Sequence, residues 1–242
     1  MKKYIPSLIT CLNLMCGVCA SILTMWGYFY QAYCFILAGA VFDLCDGAVA
    51  RRLNVASPLG VQLDSLSDVI TFGLAPSLMM FSWYFKTICE GASHPLAFVP
   101  LLLVPFSAIR LARYNVYDTK ETLFRGLPTP ASAMIAASAI AYGHCCTMAG
   151  AQSALLALLS TDWVIPVIAG TLCVLMVSRI KMFSLKGKIG KRHYALLAGV
   201  VAVVAGIAAV APRGIMFIGY IALFTLLLFC VYILMAIVGL KD

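Results

Sequence analysis

Long apolar stretches separated by short polar segments dominate the chain. They lie at residues 7–25, 29–50, 62–85, 96–114, 130–149, 163–179, 194–211 and 214–239. A helix needs about 20 predominantly apolar residues to cross the hydrocarbon core of a bilayer, and most of these stretches approach that length. We therefore expect an all-α fold, a polytopic integral membrane bundle of about eight transmembrane helices, in a single domain of residues 1–242.

The basic residues indicate how these helices are oriented. If the N-terminus is cytosolic, every Lys and Arg except Lys86 and Arg213 falls in a cytosolic segment. Such a bias follows the positive-inside rule and predicts that both termini are cytoplasmic. The turn Pro212-Arg213-Gly214 between the last two stretches is very short, so a count of six helices stays open as the alternative.

The composition agrees with a membrane protein and limits the class of partner. Of the 242 residues, 63% are hydrophobic and 11% are charged, which excludes a soluble domain with an ordinary polar surface. The net charge is +8, but the basic residues alternate with apolar stretches and do not line one polar face. We therefore expect membrane lipids as surroundings and no nucleic-acid partner.

Four of the nine acidic residues lie close together in otherwise apolar surroundings: Asp43, Asp46, Asp64 and Asp68. Helical spacing puts the first pair on one face together with Gly47, Ala50 and Arg51. The same spacing puts the second pair on one face of the next helix together with Gly60. We expect that helix to begin at Ser57 as the N-cap and Pro58 as the first residue.

Two carboxylates on each of two facing helices predict a divalent-cation site. A buried Asp costs roughly 2.5 to 3.5 kcal/mol at the centre of a transmembrane helix, and neighbouring carboxylates also repel one another. Oxygen ligands without His or Cys favour Mg²⁺ or Mn²⁺, and four carboxylates can hold two such ions. Two-metal sites commonly act on phosphate esters and diphosphates. Ordinary ion pairs at a helix end are the alternative interpretation.

This spacing resembles the signature of the CDP-alcohol phosphatidyltransferase family: Asp43-x-x-Asp46-Gly47-x-x-Ala50-Arg51, eight residues, then Gly60-x-x-x-Asp64-x-x-x-Asp68. Further segments are similar to the phosphatidylserine synthase branch of that family: Pro6 to Asn13, Ser67 to Pro76, Arg110 to Asn115 and Phe124 to Pro130. The resemblance implies a shared core of six helices and a homodimer. With the predicted topology, we expect a cytoplasmic (inner) membrane protein whose site faces the cytosol.

The resemblance also implies roles for individual residues. It makes Asp43, Asp46, Asp64 and Asp68 the ligands of two divalent cations, and Asp68 the base that deprotonates the acceptor. It assigns the binding of CDP and its phosphates to Thr10, Asn13, Asp46, Gly47, Ala50, Arg51 and Gly60. It assigns the binding of the acceptor or of substrate phosphates to Arg110, Arg113, Asn115, Arg125, Gly126, Pro128 and Thr129. Interhelical hydrogen bonds are the alternative use of Thr10 and Asn13.

The implied reaction transfers a phosphatidyl group from CDP-diacylglycerol to the hydroxyl of L-serine and releases CMP. Glycerol 3-phosphate or inositol phosphate as acceptor stays open, as does an archaeal-type lipid donor. A cation transporter is the alternative from another class, because transporters bind ions at membrane carboxylates. The chain shows no inverted repeat and gathers its four Asp residues at one interface, which favours the enzyme.

Overall fold

A computed structural model describes most of the chain as a bundle of helices. The described residues are 4–53, 55, 57–89, 94–117, 124–178, 181–182 and 214–238. Within these ranges the only extended structure is one antiparallel pair of two-residue strands. The predicted all-α class is therefore confirmed apart from this pair.

Nine α-helices occur in the described ranges. In chain order they are α1 (Ile5–Trp26), α2 (Phe29–Leu53), α3 (Pro58–Asp68), α4 (Ala75–Thr87), α5 (Leu103–Tyr117), α6 (Thr129–Met148), α7 (Ala154–Leu159), α8 (Val164–Val177) and α9 (Ile215–Val238). A π-helical turn at Val69–Leu74 joins α3 to α4, and a 3₁₀ helix at Pro95–Leu102 leads into α5. The strands are β1 (Phe124–Arg125) and β2 (Lys181–Met182).

Seven of the eight predicted apolar stretches correspond to helices, and the remaining one, 194–211, lies outside the described residues. The residues at both ends of the chain, 1–3 and 239–242, also lie outside them. Five described segments are long and apolar enough to cross a membrane: Ile5–Trp26, Phe29–Leu53, Pro58–Thr87, Pro95–Val116 and Ile215–Leu234. The short helix α7 was not predicted.

Helix α6 lies at the centre of the bundle. Most of its 20 residues are buried, and many of them are Ala or Ser. Small side chains allow neighbouring helices to approach closely, and α6 packs against α2, α4 and α9. Because other helices enclose it, α6 does not need the continuous apolar surface that lipid contact requires of the outer helices.

Thr71 locks the π-helical turn against α1 and α2. Its hydroxyl donates a hydrogen bond to the carbonyl oxygen of Asn13 at 2.9 Å. Two glycines make room for it: a Cβ on Gly17 would lie 2.7 Å from the Cα of Thr71, and one on Gly39 would lie 2.6 Å from its Cγ2. Such π turns are rare and often occur at functional sites. This contact fixes the end of α3, where Asp68 lies.

We expect Gly39→Ala to lower the thermal unfolding midpoint of the detergent-solubilised protein. The added methyl group would overlap the side chain of Thr71, and overpacking of this kind typically costs about 1 to 3 kcal/mol. The matched control is Gly170→Ala in α8, where no described atom outside its own stretch of helix lies within 4 Å of the added methyl. The control should be neutral or slightly stabilising, because Ala favours a helix more than Gly does. Equal midpoints for the two variants would contradict the role given to this contact.

Candidate active site

Three carboxylates from α2 and α3 meet in one group. Asp43 comes from α2, Asp64 and Asp68 come from α3, and each offers a carboxylate oxygen within 4.8 Å of those of the other two. Asp68 is buried, with 8% of its surface exposed. Asp43 and Asp64 are partly exposed, so the group opens toward one side of the bundle.

The beginning of α3 sets the direction of two of these side chains. The Ser57 side chain accepts a hydrogen bond from the backbone N–H of Gly60 at 3.1 Å, and Pro58 is the first residue of the helix. This is the N-cap predicted from the sequence, and it is confirmed. Because Asp64 and Asp68 are four residues apart on one helix, they then share the face that meets Asp43.

Asp46 stands outside the group and is held by α1. It is buried, and its Oδ2 accepts a hydrogen bond from the Thr10 hydroxyl at 2.7 Å. Thr10 is also linked to α3, because the Ser67 hydroxyl donates to the Thr10 carbonyl oxygen at 3.2 Å. Three of the four predicted metal ligands thus lie together, and the fourth is oriented by a side-chain hydrogen bond. The sequence analysis gave Ser67 no role of its own; its only signals are its position beside Asp68 and at the start of the segment Ser67 to Pro76.

A cleft next to these carboxylates collects most of the residues predicted to bind CDP. Its lining includes Thr10, Asp46, Gly47, Ala50, Gly60 and Asp64. Arg51 is exposed, and its guanidinium lies close to Gly47: a Cβ added to Gly47 would be 3.6 Å from the Arg51 Nη1. The cleft therefore has a basic group beside it and small side chains along its wall.

Asn13, the remaining residue predicted to bind CDP, lies in the helix interface and not in the cleft lining. It is fully buried, and neither its Oδ1 nor its Nδ2 has a hydrogen-bond partner among the described residues. A Cβ on Gly39 would stand 2.9 Å from the Asn13 Oδ1, so α2 passes close to this amide. The structure brings Thr10 to the cleft but leaves Asn13 one turn deeper.

The residues predicted to bind the acceptor come from α5 and the start of α6. Arg110 Nη1 donates a hydrogen bond to the Thr129 hydroxyl at 2.7 Å, and Arg110 interacts electrostatically with Asp68. Asn115 Nδ2 donates to the Ser65 hydroxyl at 2.8 Å, which ties α5 to α3. Arg113 is exposed on the surface of α5. Arg110 and Thr129 therefore lie on the Asp68 side of the carboxylate group.

The remaining predicted acceptor residues lie between α5 and α6. Arg125 is in strand β1, which pairs with β2, and Gly126 follows it as a buried residue with a φ of 77°. Pro128 is the N-cap residue of α6. The backbone N–H of Leu127 donates to the carbonyl oxygen of Leu175 at 2.9 Å, so this connection is anchored to α8. The anchored connection places Thr129 at the first position of α6.

The carboxylate group suits a divalent cation. Asp64 Oδ1 and Asp68 Oδ1 are buried and have no hydrogen-bond partner among the described residues. A buried carboxylate oxygen without a partner is costly, and oxygen-only ligands suit hard cations such as Mg²⁺ and Mn²⁺. Asp43, Asp64 and Asp68 are therefore the residues that could hold such an ion.

A family model described as CDP-alcohol phosphatidyltransferase matches residues 3–165. The chain belongs to the CDP-alcohol phosphatidyltransferase family. The match covers α1 to α7 with the whole carboxylate group, and it ends at the beginning of α8. The family predicted from the spacing of the Asp residues is confirmed.

Similar curated proteins carry the name CDP-diacylglycerol–serine O-phosphatidyltransferase. The one from Bacillus subtilis is 35% identical over 136 residues, which are 54% of this chain and 72% of the relative. The one from Helicobacter pylori is 37% identical over 132 residues, 54% of each chain. The one from Methanocaldococcus jannaschii is 30% identical over 131 residues, 54% of this chain and 57% of the relative. The chain thus spans about half the length of the last two relatives, and the predicted similarity to the serine branch of the phosphatidyltransferase family is confirmed.

We expect Asp64→Asn to weaken Mn²⁺ binding by at least about 10-fold. Removing a group that merely hydrogen-bonds to a metal ligand already lowers metal affinity by about that factor, and Asp64 would be a ligand itself. The electron paramagnetic resonance signal of free Mn²⁺, followed while the detergent-solubilised phosphatidyltransferase is titrated, measures the affinity. Asp162→Asn is the matched control, since Asp162 is an exposed carboxylate between α7 and α8. If both variants bind Mn²⁺ as tightly as the unmodified protein, the carboxylate group is not the cation site.

Proposed function

We propose that this protein transfers the phosphatidyl group of CDP-diacylglycerol to the hydroxyl of L-serine and releases CMP. The observation that carries the proposal is the group of Asp43, Asp64 and Asp68 beside a cleft lined by the residues expected to bind CDP. Serine as the acceptor is supported by the names of the similar proteins from Bacillus subtilis, Helicobacter pylori and Methanocaldococcus jannaschii.

In this proposal the carboxylates hold the cations and move a proton. Asp43, Asp46, Asp64 and Asp68 would hold two divalent cations, Mg²⁺ or Mn²⁺. When bound, they would neutralise the diphosphate and stabilise the leaving CMP. The serine hydroxyl oxygen attacks the phosphorus that bears the diacylglyceryl group, and the bond from this phosphorus to the CMP oxygen breaks. The hydroxyl proton passes to Asp68, the carboxylate that Arg110 also faces.

The cleft orients the nucleotide part of the donor. Gly47, Ala50 and Gly60 have the smallest side chains along its wall and leave room for the cytidine diphosphate. Arg51 offers a guanidinium that suits phosphate oxygens. Thr10 keeps the Asp46 carboxylate turned toward the cleft through their 2.7 Å hydrogen bond. The opposite side of the carboxylate group, at Arg110 and Thr129, is then left for the acceptor.

We further propose that the chain is one domain that crosses the cytoplasmic (inner) membrane about eight times, forms a homodimer, and keeps both termini and the site in the cytosol. The exposed Arg51 and Arg52 end α2 at the same end of the bundle as the carboxylates, whereas Lys86 lies near the far end of α4. Excess basic charge marks the cytosolic side. Serine would then enter from the cytosol and the lipid donor from the bilayer.

Release of CMP from CDP-diacylglycerol by the purified protein in detergent tests the proposed reaction. L-serine, glycerol 3-phosphate and inositol phosphate are supplied separately, each with Mn²⁺ or Mg²⁺. We expect release that depends on serine and stops when EDTA removes the cations. Release with another acceptor alone would overturn serine as the substrate and leave the chemistry in place. No release with any acceptor would overturn the reaction and favour a cation transporter.

We expect Asp68→Asn to lower turnover by about 10² to 10⁴-fold, the usual contribution of a general base, while binding of CDP-diacylglycerol largely survives. The amide has nearly the same shape but cannot accept the hydroxyl proton. Serine-dependent CMP release measures turnover, and equilibrium binding of labelled CDP-diacylglycerol measures affinity. A loss of binding in proportion to the loss of turnover would contradict the assignment of Asp68 as the base.

A further inference from the structure

Helix α9 lies outside the stretch that matches the family, yet specific contacts pack it into the bundle. The hydroxyls of Tyr33 and Thr225 are 2.6 Å apart and link α2 to α9. Gly219 approaches α6 so closely that a Cβ there would stand 2.9 Å from the Cβ of Cys145. Ala222, between these two positions, is fully buried. One face of α9 is therefore fixed against the other helices.

The direction of α9 follows from its two ends. Gly219, near the start of α9, meets Cys145 near the C-terminal end of α6, and α9 also contacts strand β2, which pairs with β1 just before α6 begins. The two helices therefore run antiparallel. At a rise of 1.5 Å per residue, Tyr232 lies about 20 Å along α9 from Gly219, and Thr129 lies about 24 Å along α6 from Cys145. Measured from the Gly219–Cys145 contact, the two residues are therefore at nearly the same height, within about one helical turn.

Arg110 has polar neighbours on three other helices. Its Nη1 donates to the Thr129 hydroxyl at 2.7 Å, and its guanidinium interacts electrostatically with both Asp68 and Tyr232. Tyr232 is partly buried and packs against the core of the bundle, so its position is set by the packing of α9. Asp68 of α3, Thr129 of α6 and Tyr232 of α9 thus all lie near the guanidinium that α5 contributes at the Asp68 end of the site.

We propose that Tyr232 is a positioning residue for an amino-acid acceptor, an inference that rests on the proposed transfer to serine. Together with Thr129 it holds the guanidinium of Arg110 beside Asp68, where this guanidinium pairs with the carboxylate of serine. The planar fork of N–H donors on Arg matches a carboxylate better than a single ammonium group does. The pairing would bring the serine hydroxyl next to Asp68. Helix α9 thus completes the acceptor side of the site.

Steady-state kinetics of Tyr232→Phe test this role. We expect the KM for L-serine to rise about 3- to 10-fold, the range expected for the loss of one polar interaction. The kcat and the KM for CDP-diacylglycerol should change less than about two-fold, because Tyr232 acts on the acceptor only, through Arg110. The matched control is Tyr220→Phe, which removes the same hydroxyl from the same helix about 18 Å away. The control should keep the serine KM of the unmodified protein.

The outcomes separate this inference from the proposed function. If the unmodified protein releases no CMP with serine, the proposed function fails. If it is active with serine and the serine KM of Tyr232→Phe equals that of Tyr220→Phe, only the role of Tyr232 fails. A rise in the KM for CDP-diacylglycerol instead would assign Arg110 and Tyr232 to the lipid phosphate and overturn the acceptor role. A joint loss of kcat and of the thermal unfolding midpoint would show a packing role and overturn it as well.

Discussion

The mutual repulsion of carboxylates in an apolar bundle is the constraint on which the rest of the site depends. Asp43, Asp64 and Asp68 lie within 4.8 Å of one another, and two of their oxygens are buried without a hydrogen-bond partner in the described part of the chain. Burial and like charges both penalise the ionised forms. The surrounding helices must hold such a group in place, and its oxygen ligands and unmet charge suit it to a divalent cation.

Helix α1 provides much of that rigidity. Thr10 bonds to Asp46 on α2 and accepts from Ser67 on α3, and one turn further the carbonyl oxygen of Asn13 accepts from Thr71. These bonds run between helices, so they fix α2 and α3 relative to each other at the level of the carboxylates. Close passage at Gly17 and Gly39 makes this arrangement possible, since larger residues would push the π-helical turn away. The close packing of α1, α2 and α3 thus fixes where the carboxylates lie.

The two sides of the carboxylate group have different origins. The cleft at Thr10, Gly47 and Gly60 lies entirely within residues that match the family. The other side is built around Arg110, which is oriented by Thr129 and reached by Tyr232 of α9, beyond the family match. In the proposed reaction the donor would therefore bind among residues that match the family, whereas the acceptor would bind beside a helix outside the match.

Features that depend on neighbours within a few residues could be predicted from the amino-acid order alone. Helical spacing placed Asp43 and Asp46 on one helix and Asp64 and Asp68 on the next, and Ser57 and Pro58 marked where the second one begins. The folded arrangement of helices was needed to show that Asp46 turns to Thr10, that Arg110 meets Thr129, and that α9 brings Tyr232 near Arg110. These contacts join residues from 19 to more than 100 positions apart, and periodicity within one helix carries no information about which helices become neighbours.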